Sequence, residues 1–170
     1  QYAIGSDIIV AHPLTSGRWR LQVYLPPERE VWYELWGGTM FIPEKKNKYI
    51  VEIDIIETDW VSFIAQGTIV ALVDDNIFNF YIASNCLNSS NCTANGELMK
   101  DGTRLSFKLN ERNLTINDLP SNCEYSMGYV NYYRYIGSTG YKEHKNATND
   151  KFCKNNNTSY TLMLNDLDEI

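Results

Sequence analysis

The chain has 170 residues, 44 % of them hydrophobic and 21 % charged, with a formal charge of −6. That length supports one domain with a hydrophobic core, and the composition excludes a disordered chain. The acidic balance argues against a nucleic-acid partner, because phosphate backbones attract basic surfaces.

The apolar pattern is that of strands from the outset. Arg18 to Leu25 alternates polar and apolar residues, the period of a half-buried strand, and Pro26-Pro27 ends it. Glu30 to Trp36 follows, with Trp32 and Trp36 at one parity and Val31, Tyr33 and Leu35 at the other. Both faces of that strand are largely apolar, so it is central in a sandwich or one face lines a cavity. Gly37-Gly38 marks a bend, Met40 to Ile42 a short strand, and Pro43 to Lys48 a charged turn. Tyr49 to Ile56 is rich in β-branched residues, and Asp59 to Ala65 and Thr68 to Val73 are further strands around Gly67. Asp74-Asp75-Asn76 reads as a solvated hairpin tip before the strand Ile77 to Ile82.

The second half is more polar. Asp101-Gly102 is a strong two-residue hairpin signal between Glu97–Lys100 and Thr103–Leu109. Leu114 to Ile116 is short, Tyr125 to Ile136 is a tyrosine-dense segment read as a strand in preference to a helix, and Ser159 to Leu164 closes the series. Gly137 to Asn157 reads as a long hydrophilic loop. Short connections favour antiparallel neighbours in a meander, and no repeat or linker divides residues 1–170.

Six Asn-X-Ser/Thr acceptors occur, at Asn88, Asn91, Asn113, Asn146, Asn156 and Asn157. With four cysteines, Cys86, Cys92, Cys123 and Cys153, they point to a secreted, extracellular glycoprotein with two disulfides, three connectivities being open. The intervals between the cysteines contain five, thirty and twenty-nine residues, which does not suit zinc. Gln1 fits a mature chain after removal of a leader, and no apolar run is long enough for a membrane helix.

No catalytic motif, metal-ligand spacing or cofactor motif is present, and His12 and His144 are the only imidazoles. Glu52 with Asp54, and Glu30 with Glu34, recur at strand spacing. Paired carboxylates can serve glycosidase chemistry, but these fall on polar strand faces and read as solvated. The expectation is a binding domain and not an enzyme.

Ser16-Gly17-Arg18-Trp19, opening a strand near the start of the chain, resembles the Gly-X-Trp signature of the lipocalins, including the divergent salivary lipocalins of blood-feeding arthropods. The resemblance implies an all-β, antiparallel up-and-down barrel, with Trp19 closing its floor and Arg112 or Arg134 as the late arginine packed on it. A two-sheet β-sandwich is the alternative architecture. The implied function is a monomeric carrier for a small apolar ligand, a lipid or sterol, that modulates host defence. The other reading is an extracellular module for a host or cell-surface protein. In the barrel, Leu21, Val23, Tyr33, Leu35, Val51, Ile53 and Phe63 would line the ligand cavity.

Overall fold

The computed structural model describes residues 1–13, 20–55, 60–87, 92–136, 139–152 and 158–164; for 86–87, 134–136 and 139–150 only the backbone is described. The first half carries β1 (Tyr2–Ile4), β2 (Ile8–Ala11), β3 (Arg20–Tyr24), β4 (Trp32–Glu34), β5 (Met40–Phe41), β6 (Ile50–Asp54) and β7 (Val61–Ala65). The second carries β8 (Thr68–Asp74), β9 (Ile77–Leu87), β10 (Thr93–Lys100), β11 (Thr103–Asn110), β12 (Asn113–Asn117), β13 (Ser126–Ile136), β14 (Thr139–Lys151) and β15 (Ser159–Met163). A 3-10 turn at Lys45–Asn47 accompanies them, so the protein is all-β. Among the described residues no helix is long and apolar enough to cross a membrane.

Three sheets form. A five-stranded sheet runs β1-β2-β7-β4-β5, a ribbon pairs β3 with β6, and an eight-stranded sheet runs β14-β13-β9-β8-β10-β11-β12-β15. Alternation along β3 and β6 sends Arg20, Gln22, Glu52 and Asp54 to solvent. The opposite face of the ribbon presses Val23 and Leu25, with Leu21, Val51 and Ile53, onto Trp32, Phe63 and Ala65 of the five-stranded sheet. The other face of that sheet buries Val31, Tyr33, Leu35 and Ile64 against Tyr81, Ala83 and Tyr133 of the large sheet. The five-stranded sheet is therefore the middle layer, which is why β4 is apolar on both faces.

The large sheet curls around its own core. Phe80 on β9 and Phe107 on β11 are separated by two strands of the sheet, β8 and β10, yet their rings meet edge to face at 5.2 Å. Phe78, Leu105, Leu109, Leu114, Ile116 and Val130 fill the same interior. Full burial of one such side chain stabilises the fold by about 1.5–3 kcal/mol.

The strand order is not the simple meander expected of an up-and-down barrel. Parallel pairings join β8 to β10 and β9 to β13, and β3 reaches past two strands to pair with β6. Two hairpins follow the sequence expectation. Asp101 and Gly102 both have positive φ, 51° and 78°, and join β10 to β11 with Lys100 opposite Thr103. Asp75, at φ 52°, turns β8 into β9.

The hydrophilic loop expected over residues 137–157 is corrected: Thr139–Lys151 is strand β14, paired antiparallel with β13 from Ile136 opposite Thr139 to Ser126 opposite Lys151. An edge strand takes its order from backbone hydrogen bonds to its neighbour and needs no apolar alternation. Charged residues are common on such edges because they discourage further pairing. The strands β1 and β2 carry no alternation that marks them in the sequence, and they form because β2 pairs with β7.

Cys92 and Cys123 pack against the large core and are both disulfide-bonded, so neither described thiol is free. The side chains of Cys86 and Cys153 lie outside the described residues. Asn113 opens β12 with a half-buried side chain, opposite Asn110 and Met163. Asn146 lies on β14, and Asn88, Asn91, Asn156 and Asn157 fall outside the described residues, as do Gly17 and Trp19 of the Gly-X-Trp signature.

Candidate functional site

A groove of about 640 Å³ opens where β4 ends, between the turn into β5 and the ribbon strand β6. Its wall includes Trp36, Phe41 and Trp60 together with Glu34, Glu52 and Asp54. Trp36 and Trp60 are 51 % and 58 % exposed, unusual for the largest apolar side chain.

Local structure holds both indoles in place. The Glu34 carboxylate accepts the Trp36 amide N–H at 2.8 Å through Oε1 and the Gly37 amide N–H through Oε2. A Cβ at position 37 would stand 2.6 Å from that Oε2, so glycine lets the carboxylate close over the turn. Gly38, at φ 77°, then donates its N–H to the Glu34 carbonyl at 2.9 Å and reverses the chain. The Trp36 ring meets Tyr81 edge to face at 5.7 Å, and the Trp60 ring lies 5.1 Å from His12. On the ribbon, Arg20 Nε donates to Asp54 at 3.2 Å and Gln22 donates to Glu52 at 3.0 Å. Both carboxylates are exposed, so the solvated reading of that pair holds.

The seven positions expected to line a ligand cavity do not share one surface. Leu21, Val23, Val51, Ile53 and Phe63 meet between the ribbon and the middle sheet. Tyr33 and Leu35 lie on the opposite face of the middle sheet, toward the large sheet. Ile53 alone of the seven also reaches the groove wall. Trp36, Phe41 and Trp60 were not singled out from sequence as site residues. The available signal was a tryptophan beside Gly37-Gly38 and another beside Asp59, large aromatics in polar, turn-forming surroundings. Among the described residues no group of His, Cys, Asp and Glu is placed to hold a metal ion.

Behind the groove, tyrosines tie the middle and large sheets together. The Tyr133 hydroxyl donates to the Leu35 carbonyl, its ring stacks on Tyr33 at 5.7 Å, and the hydroxyls of Tyr81 and Tyr129 share a hydrogen bond. Burial, reinforced by neighbouring acidic hydroxyls, pushes the Tyr81 and Tyr133 phenols far above their ordinary value. In the unfolded chain these phenols ionise near pH 10, while the folded chain keeps their protons. Above that pH the unfolded state binds fewer protons, so stability is complete below about pH 10 and falls as pH rises beyond it. Urea midpoints measured between pH 8 and 11 should decline only above pH 10. Tyr133→Phe should flatten the decline, and an unchanged slope in that variant would exclude Tyr133 as a source.

Fold and site together define an all-β, layered unit with an aromatic and acidic surface groove. No protein-family model and no curated protein matches the chain. Solved structures do resemble it. The α subunit of glucosidase II, solved with an α3-Glc2 ligand, superposes with TM-score 0.58 at 12 % identity over 83 % of this chain. A GH31 α-xylosidase from Xanthomonas citri gives 0.54 at 14 % over 96 %. An uncharacterized Listeria monocytogenes protein, solved with α-D-glucose, β-D-glucose, magnesium and calcium, gives 0.52 at 15 % over 96 %. The chain spans about a fifth of the length of each: 20 %, 19 % and 19 %. These neighbours are not lipocalins, and at such identities the likeness is one of fold.

Proposed function

We propose that this chain is the non-catalytic, β-rich part of a larger glycoside-hydrolase-type protein. The observation that carries this reading is that glucosidase and xylosidase structures cover 83 % and 96 % of the chain while the match takes up only 20 % and 19 % of their own length. The site is consistent with it. The carboxylates of Glu52 and Asp54 are engaged on the open face of the ribbon by Gln22 and Arg20. Catalytic acids of such a protein would then come from elsewhere in its chain. The six sequons and the oxidised cysteines support a secretory, glycosylating compartment.

An antibody raised against the 170-residue chain tests the reading in an extract of its source. Depletion should remove an α-glycosidase activity and recover a polypeptide several times longer than this chain, which N-glycosidase shortens in apparent mass. The isolated chain should hydrolyse no α-glucoside or α-xyloside. Recovery of a free chain of about this length, with the activity left in the extract, would overturn it.

A second reading keeps the lipid or sterol carrier, with the ligand held between the ribbon and β7; its support is the continuous apolar cluster those strands share. Organic-solvent extraction of the same purified chain separates the two, because only a carrier yields a stoichiometric lipid.

A further inference from the structure

We infer that the groove bearing Trp36 and Trp60 binds a short neutral oligosaccharide, an inference that rests on the glycoside-hydrolase reading and gives the chain a saccharide contact of its own. A pyranose has two chemically different surfaces. Its axial C–H groups form an apolar patch that stacks on the negative face of an aromatic ring, and its equatorial hydroxyls need hydrogen-bond partners. The groove offers both. Two half-exposed indoles and Phe41 line it with aromatic residues, and Glu52 and Asp54, whose carboxylates accept from Gln22 and Arg20, line it with acidic ones.

The volume of about 640 Å³ lies within the range of small-molecule sites, roughly 300–1,000 Å³. Pre-organisation favours binding too. Glu34 pins the Trp36 turn through two backbone N–H groups, and His12 packs on Trp60, so little ordering remains to be done when a ligand arrives.

The lining also rejects other occupants. An anionic sugar would meet Glu34, Glu52 and Asp54. A lipid tail would strip water from those carboxylates without replacing its hydrogen bonds. A cationic ligand would compete with Arg20, already 3.2 Å from Asp54 and 4.0 Å from Glu52.

The test is tryptophan fluorescence of the 170-residue chain titrated with maltotriose and with cellotriose, checked by calorimetry. At least one should give a saturable change, and a trigalacturonate of the same length should give none. Trp36→Ala and Trp60→Ala should each weaken binding about three- to tenfold, Trp60→Phe should restore most of it, and Met99→Ala, on β10, should leave it unchanged. The inference is overturned if neither trisaccharide gives a saturable change. It is equally overturned if both alanine variants bind as the parent does while keeping its far-UV spectrum. Should those variants lose that spectrum, Asp54→Ala on the exposed ribbon decides: binding at least about threefold weaker supports the site, and unchanged binding removes it. Antibody depletion reports separately on the glycoside-hydrolase reading, so the two can fail independently.

Discussion

Gly96→Val is expected to cost about 3 kcal/mol or more and to abolish a single cooperative unfolding transition. Gly96 lies on β10 opposite Phe107 of β11, one residue after the parallel bridge from Asn95 to Thr68. That bridge is anchored by the Asn95 N–H, which donates to the Gly67 carbonyl at 2.9 Å. A Cβ at position 96 would fall 2.1 Å from the Ile69 carbonyl oxygen and 2.9 Å from the Ile69 Cβ. The obstruction is largely backbone, so no rotamer change relieves it, and β10 must move off β8. This junction lies in the middle of the eight-stranded sheet, and opening it would expose the core on both sides. Urea unfolding followed by far-UV circular dichroism reads the effect. Gly96→Ala should fall between parent and valine variant, and an alanine variant within about 0.5 kcal/mol of the parent would refute the close approach.

Trp32→Ala should destabilise by about 3–5 kcal/mol. The indole is fully buried in the cluster that joins ribbon and middle sheet, among Val23, Leu25 and Phe63. Its Nε1–H donates to the Pro26 carbonyl at 3.1 Å, so truncation leaves a cavity and an unpaired acceptor together. Trp32→Phe keeps most of the buried ring and should cost about 1–2 kcal/mol. Trp36→Ala gives the contrast. That residue is 51 % exposed and its ring makes an edge contact to Tyr81, so its loss should cost about 1 kcal/mol or less. Thermal and urea denaturation of the three variants rank them, and equal losses at positions 32 and 36 would contradict the layer order.

That contrast also shows where sequence reading stops. In the sequence Trp32 and Trp36 share one parity of a single strand, so alternation assigns them one face. In the structure β4 ends at Glu34, whose carboxylate folds the chain back at Gly37, and the second tryptophan leaves the strand for the groove. Nothing in the period of the run marks that end. The candidate site is built from such a departure, with Trp60 outside the strand β7 that it precedes, which is why apolar alternation marks the core and not the groove.

Sequence by itself determined what depends on near neighbours. Outside β1, β2 and β14, strand positions followed from period-2 alternation, the Asp101-Gly102 hairpin from residues that tolerate positive φ, and the solvent face of the ribbon from Arg20, Gln22, Glu52 and Asp54. It also showed that Glu30 to Trp36 carries two apolar faces. Only the tertiary structure decided which strands pair, that β14 exists, and which layer each face of β4 meets. Those choices rest on contacts between distant parts of the chain, such as the Tyr133 hydroxyl on the Leu35 carbonyl across 98 positions. Alternation records that a side chain is buried; the partner that buries it is selected by the packing of whole sheets, which no local pattern contains.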